Sequence, residues 1–185
     1  MLDLENPSSK FFMQPLFLVG TYDADGSPRF APISWISYTD GNPPCLVMTN
    51  YLPGKHMTEN LMRDKQFTAT VVTQEFLPFA EWNNKGDWIA KGRDPRSDFN
   101  FIPARKVHAP LIEGGVLSYE CTIIHTVDIG DCRTYFGRID AINATEEVAQ
   151  LDFFDLTKIK PVIYSPSHYF TIGESICPMG AFVGA

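Results

Sequence analysis

From Leu16 to Asn50 apolar and β-branched residues run in short stretches broken by turn residues at close intervals, the mark of a strand meander. Leu16 to Tyr22 reads as a first strand. Asp23-Ala24-Asp25-Gly26 is the hairpin turn that ends it, because glycine accepts a positive φ and aspartate side chains bond neighbouring amides. Pro28 to Tyr38 reads as the return strand. Asp40-Gly41-Asn42-Pro43-Pro44 then breaks the pattern, since consecutive prolines donate no ladder bonds and continue no helix. Cys45 to Thr49 follows as a third strand. Lys55 to Lys65 is polar and compatible with a helix that turns Met57, Leu61 and one of His56 or Met62 inward, and Phe67 to Thr73 is a fourth strand.

From Gln74 to Pro110 the pattern loosens: a short helix through Phe76, Phe79 and Trp82, then a stretch rich in Asn, Gly, Asp and Pro. Asn83 to Ala104 is therefore expected to be a long excursion. Loops of that length in a compact domain usually cover a site or an interface, which makes it a candidate lid or dimer contact, with disorder as the alternative. Val116 to Val127 and Cys132 to Ile142 predict two long strands joined at Gly130-Asp131, Glu146 to Leu151 a helical turn, and Pro161 to Tyr164 and His168 to Ile172 two final strands. Many strands with so few helices predict a mostly β protein, an antiparallel barrel rather than an α/β sheet. Closure would also remove exposed strand edges.

The 185 residues fit a single domain spanning 1–185, and 44% hydrophobic with 13% aromatic residues is a globular profile. The net charge of −7 argues against nucleic-acid binding but permits a local basic pocket for one phosphate. Cys45, Cys121, Cys132 and Cys177 show no C-x-x-C pair and are expected to be reduced thiols. Met1 to Pro7 lacks a basic start and an apolar run, and no stretch of about 18 apolar residues occurs. The expectation is a cytoplasmic protein without membrane contact.

No G-x-G-x-x-G, Walker loop, G-x-S-x-G elbow or H-E-x-x-H is present. His56, His108, His125 and His168 have no spacing that would aim two imidazoles at one ion, so no metal site is expected. The densest chemistry lies between Ala31 and Asn60. Ala31-Pro32-Ile33-Ser34-Trp35 brings polar and aromatic groups, and Lys55-His56-Met57-Thr58-Glu59-Asn60 opens a helix whose unpaired amides and dipole attract an anion. Plainer roles compete: Lys55 solvated, Thr58 exposed, and Trp35, Met48, Val72 and Cys121 as core.

These pieces, in order, are Leu18-Val19-Gly20-Thr21, Asp25-Gly26 before Ala31-Pro32-Ile33-Ser34-Trp35, Pro43-Pro44, Asn60-Leu61 before Phe67-Thr68-Ala69-Thr70-Val71-Val72, and Tyr119-Glu120-Cys121 with Tyr135-Phe136-Gly137-Arg138-Ile139. From about Pro15 to Phe182 the chain resembles the flavin reductase-like, flavoredoxin-type FMN-binding split barrels. The resemblance implies a split antiparallel β-barrel with a few short helices, closed into a homodimer. It implies an FMN whose ring lies against Ala31 to Trp35 and Met48, Thr49 and Asn50, with its phosphate at Lys55 and Thr58. His56 and Asn60 belong to the same expected site, and His168 and Tyr169 are candidates to reach the partner's flavin. In that family the phosphate-binding threonine stands about three positions before the helix asparagine, where this chain has Met57 with Thr58 adjacent; His56 or backbone amides are possible substitutes.

The implied activity is NAD(P)H-dependent flavin reduction, with NAD(P)H a transient co-substrate, touched by residues such as Arg29 or Arg138, and free flavin or a redox partner protein as acceptor. No catalytic side chain is expected, because the cofactor carries the chemistry. Rival readings are an electron carrier that does not turn over NAD(P)H, a non-catalytic flavin- or haem-binding module, and a barrel with no cofactor.

Overall fold

The computed structural model describes residues 12–52, 56–84, 95–151, 153–178 and 181. Twelve strands and four short helices are assigned among them: β1 (Gln14–Pro15), β2 (Phe17–Tyr22), β3 (Pro28–Ile33), β4 (Ile36–Thr39), β5 (Cys45–Tyr51), α1 (His56–Asp64), β6 (Gln66–Val71), α2 (Leu77–Asn84), β7 (Phe101–Pro103), β8 (Pro110–Ile112), β9 (Leu117–Ile129), β10 (Cys132–Ala144), α3 (Glu146–Ala149), α4 (Leu156–Ile159), β11 (Val162–Ser165) and β12 (His168–Thr171). Seven strands form one antiparallel sheet in the order β3-β2-β6-β9-β10-β5-β4, while β1, β11 and β12 form a second sheet and β7 and β8 a small ladder.

The two ends of the large sheet, β3 and β4, are separated in sequence by only Ser34 and Trp35. Such a short link forces the sheet to roll up, yet β3 pairs with β2 and β4 with β5, not with one another. The result is a split antiparallel barrel. This corrects the expectation of one continuous strand from Pro28 to Tyr38: the segment breaks at Ser34-Trp35 because its halves serve opposite ends of the sheet. The first turn forms as expected. Gly26 has φ 82° and its N–H donates to the Asp23 carbonyl, while Asp25 Oδ1 accepts from the Ser27 N–H.

Strand β2 buries both faces, sending Val19 into the barrel and Leu18 into a second core against Phe30, Phe76 and Val162. The barrel interior holds Leu46, Met48, Phe67, Ala69 and Tyr135, closed at one end by Met57 and Leu61 of α1. Those two residues stand four apart, on one helical face, and Lys65 at φ 56° ends the helix in the left-handed region. Phe67 fits because β10 carries Gly137 beside it: a Cβ there would lie 2.5 Å from the Phe67 ring. Removing the fully buried Phe67 ring would cost about 3–5 kcal/mol.

Polar residues inside the strands are satisfied by their neighbours. The Thr68 hydroxyl donates to the Pro110 carbonyl at 2.5 Å, and Thr70 and Ser118 share a hydrogen bond of 2.9 Å. Strands β9 and β10 form the expected long hairpin, with register shifts at Phe136/Gly137 and Ile139/Ala141 that bend it around the barrel.

The expected excursion from Asn83 to Ala104 is largely structured where it is described. Asn83 and Asn84 complete α2, Pro95–Asp98 forms a 3-10 turn, and Phe99 and Phe101 pack on Phe30, Phe76 and Phe79 with ring centroids 5.0–5.8 Å apart. Residues 85–94 of that segment lie outside the described residues. Strands β1, β7 and β8 and helix α4 had no clear signal in the sequence, being two to four residues long.

Candidate functional site

Alternation along β5 divides the expected site between two faces. Met48 is 1% exposed and packs with Ile36, Tyr135, Met57 and Leu61, so its side chain belongs to the core. Asn50 lies on that same side, and its Nδ2 donates to Thr58 Oγ1 at 3.4 Å. Thr49 and Tyr51 point outward. The Thr49 and Thr134 hydroxyls share a hydrogen bond of 2.8 Å, and Tyr51 meets Trp35 edge to face at 5.2 Å. Trp35 is 37% exposed and Tyr51 46%, so both rings border solvent rather than core. The Trp35 carbonyl accepts from the Thr49 N–H at 2.8 Å, tying the break between β3 and β4 to the end of β5.

Helix α1 begins beside this face. Thr58 is buried, and its hydroxyl donates to the Tyr51 carbonyl at 3.3 Å. His56 is exposed in the first turn, with Nδ1 3.7 Å from Glu59 Oε2. Lys55 lies outside the described residues. Two residues not among the expected site residues lie beside the corner: Arg133 stands opposite Asn50 and Tyr135, known from the sequence only as part of a motif, opposite Met48 on β10. Arg133 is held by two hydrogen bonds to Asp128, at 2.5 and 2.7 Å. Tyr135 is fully buried, and its hydroxyl is the single buried side-chain polar atom without a hydrogen-bond partner among the described residues. Burial raises that hydroxyl above the ordinary phenol value, while nearby Thr58 and Arg133 pull it back. Period-two spacing puts 133 and 135 on one face; only the strand register shows that α1 lies over it.

Several expected site residues do other work. Asn60 is buried, with Nδ2 donating to Thr21 Oγ1 at 3.1 Å and to Asp23 Oδ1 at 2.8 Å, while its Oδ1 accepts from Arg63. Asn60 therefore bolts α1 to β2. Arg29, then Asn60, holds the Asp23 carboxyl below its usual range against the opposing effect of burial. Ala31 and Ile33 pack against the barrel core, leaving Pro32 and Ser34 half-buried beside them. Tyr169 packs against the second core and its hydroxyl donates to Glu81 on α2, and burial followed by that carboxylate raises its pKa. His168 is exposed on the same strand. Within one chain, neither residue joins the corner formed by Trp35, Thr49, Asn50, Tyr51 and Thr58.

The corner thus joins the start of α1, hydroxyl and amide groups, and two half-exposed aromatic rings. Its edges are open as well: β3 and β4 each end the sheet, so each has backbone groups without a ladder partner in it. Donors at a helix start suit an anion, and rings beside strand edges suit a planar heterocycle with polar rims. Among the described residues, no group of three His, Cys, Asp or Glu side chains is placed to hold a metal, and no helix is long and apolar enough to cross a membrane.

Fold and corner together define a split-barrel protein with an aromatic, polar rim. Solved structures share that architecture over nearly their whole length. The flavoredoxin of Desulfovibrio vulgaris (Miyazaki F) is 21% identical, with a TM-score of 0.84 and coverage of 98% of this chain and 99% of the other. The flavoredoxin of Methanosarcina acetivorans is 17% identical (TM-score 0.83, coverage 98% and 97%), and the nitrilotriacetate monooxygenase component B of Bacillus cereus 15% (TM-score 0.81, coverage 96% and 98%). The sequence matches the flavin reductase like domain over residues 9–173, and the chain belongs to that family. Its chemistry is flavin oxidoreduction.

Proposed function

We propose that the chain binds FMN at the corner between Trp35, the end of β5 and the start of α1, and works with it as an NAD(P)H-dependent reductase in a cytoplasmic homodimer. The observation that carries this reading is the convergence of the α1 start, Thr58 and the Trp35–Tyr51 pair at a place where two strand edges stay open. The first amides of α1, with Thr58, His56 and Lys55, meet the phosphate. Backbone groups at Pro32 to Ser34 and the Thr49 side of β5 meet the ring's polar edge, while Trp35 and Tyr51 shield it from water. When bound, the flavin supplies hydride acceptance and electron release, so the protein needs no acid–base pair of its own.

Exposed Val127, Ile129 and Tyr51 lie on the outer face of β9, β10 and β5, and this apolar surface supports the second subunit, which would bring His168 to the partner's site. Free thiols at all four cysteines support a reducing compartment. The relatives include flavoredoxins and a monooxygenase component, so either free flavin or a protein partner suits as acceptor.

The absorbance spectrum of the protein as isolated, followed by FMN titration and stopped-flow mixing with NADH and NADPH, tests this directly. Expected are flavin absorbance and rapid bleaching by one nucleotide. Colourless protein that takes up no FMN refutes it, and tight FMN with no bleaching favours an electron carrier. Lys55→Ala should loosen FMN by roughly 1–3 kcal/mol, the scale of a charge-assisted bond, as read by fluorescence titration.

A further inference from the structure

The outer face of the sheet carries an isolated pair of hydroxyls beside the aromatic corner. Alternation turns Val47, Thr49 and Tyr51 of β5 outward, and the register with β10 sets Phe136 next to Val47 and Thr134 next to Thr49. Val127 of β9 adjoins Thr134 on one side, and on the other the Thr49 N–H donates to the Trp35 carbonyl at 2.8 Å. Thr49 and Thr134 are therefore half-buried polar residues set among Val47, Phe136, Val127, Tyr51 and Trp35. Their hydroxyls share one hydrogen bond of 2.8 Å, and neither makes another among the described residues. Two hydroxyls hold two protons; the shared bond uses one, and the other has no acceptor in the chain. A cross-strand threonine pair that served the sheet alone would add only about 0.2–1 kcal/mol and would need no such spare donor.

We infer that Thr134 is a positioning residue: it donates to Thr49, so that the Thr49 proton is offered to a carbonyl oxygen on the polar edge of the flavin ring. This rests on the flavin reading above. The direction of the pair follows from its place in the sheet. Thr49 is tied through its own backbone to Trp35 and follows the strand that ends in Tyr51, whereas Thr134 lies one strand further from that aromatic pair, toward Val127. With one lone pair filled by Thr134, the Thr49 hydroxyl loses rotational freedom, and hydroxyls in series polarise one another, which strengthens the bond that Thr49 makes outward. Thr134 acts without touching the ligand. A ring carbonyl gains negative charge when the flavin is reduced, so a donor held against it favours the reduced form.

The test measures FMN affinity by fluorescence titration and the midpoint potential of the bound flavin in the wild type, Thr49→Val, Thr134→Val, the double variant and Thr134→Ser, with thermal melts and sedimentation of the flavin-free proteins alongside. Expected are FMN weakened about five- to tenfold in Thr49→Val and about two- to fourfold in Thr134→Val, with no further loss when the second change is added to the first. Both valine variants should lower the midpoint potential, and Thr134→Ser, which keeps the hydroxyl, should match the wild type. The inference is overturned if Thr134→Val alters only the melting or the association of the flavin-free protein, leaving affinity and potential as they were, or if its loss persists in full on top of Thr49→Val. Wild-type protein that binds FMN while Thr49→Val binds it equally well sinks the inference and leaves the flavin reading standing, whereas wild-type protein that takes up no FMN sinks both.

Discussion

Strand β10 connects two polar regions built on opposite terms. Near its end, Glu120 is fully buried yet completely met: Oε2 accepts from the Lys106 N–H at 2.6 Å and Oε1 from Asn143 Nδ2 at 2.8 Å, while Arg105 donates to Asn143 Oδ1 at 2.9 Å. Burial works to raise the Glu120 carboxyl, but the donors from Asn143, Lys106 and Arg105 hold it below the ordinary value. Near the beginning of β10, by contrast, Thr58 makes only contacts of 3.3 and 3.4 Å and Tyr135 makes none. A buried polar group that only supports the fold closes its bonds within the chain. The looser corner, where the flavin site is proposed, holds its polar groups less tightly than the Glu120 cluster does.

The largest expected effect breaks the closed end. Glu120→Ala should cost about 3 kcal/mol, because it empties a fully buried side-chain position and takes the acceptor from the Lys106 amide and the Asn143 side chain. Differential scanning calorimetry should show a Tm lower by roughly 6–12 °C, with the FMN affinity of the folded protein intact. The pH dependence follows with its sign. A carboxyl whose pKa is lowered by folding contributes stability above its unfolded value, here 4.5, and loses it as the pH falls through the folded value. Wild-type Tm should therefore fall as the pH drops below about 4.5, and Glu120→Gln should show a shallower fall.

Asn60→Ala sharpens the contrast from the middle. It removes hydrogen bonds to Thr21 and Asp23 and the acceptor for Arg63, for about 2 kcal/mol of stability. If Asn60 is a bolt and not a ligand, FMN affinity measured well below the melting point changes less than twofold. A large loss of affinity without loss of Tm reverses that assignment.

The smallest effect on stability is expected at the open corner. Trp35→Ala removes one edge-to-face partner of Tyr51 at a half-exposed position, worth about 0.5–1 kcal/mol, while ligand affinity falls about tenfold if the ring lies there. Chemical denaturation and flavin titration on the same sample separate the two.

Local patterns in the sequence located the hairpins well, since β2, β9 and β10 are runs rich in apolar and β-branched residues and their turns carry Gly26 and Gly130 at positive φ. Trp35, Thr49, Asn50, His56 and Thr58 lie near one another at the end of β5 and the start of α1. The packing of Met48 and the tether made by Asn60 were hidden for a shared reason: both lie within a residue or two of the corner, but a one-residue step in a strand or a helix turn points the side chain elsewhere. Arg133 carried no signal and Tyr135 only that of a family motif, because their places opposite Asn50 and Met48 come from a pairing with β5 more than 80 residues away in sequence, which no local period encodes. The break at Ser34-Trp35 was hidden likewise, since nothing in that stretch resembles a turn until the sheet's strand order is known.

That two-residue link also has a mechanical meaning. The neighbours of β3 and β4 lie at opposite extremes of the sheet, so the chain between Ile33 and Ile36 acts as a hoop's clasp: each end strand finds its place only when the whole ring is assembled. A nick or an inserted linker there frees both ends at once, whereas new termini at the exposed Asp25-Gly26 turn leave the clasp shut. A version of the chain permuted at that turn should keep its barrel, and one cut between Ser34 and Trp35 should spring open.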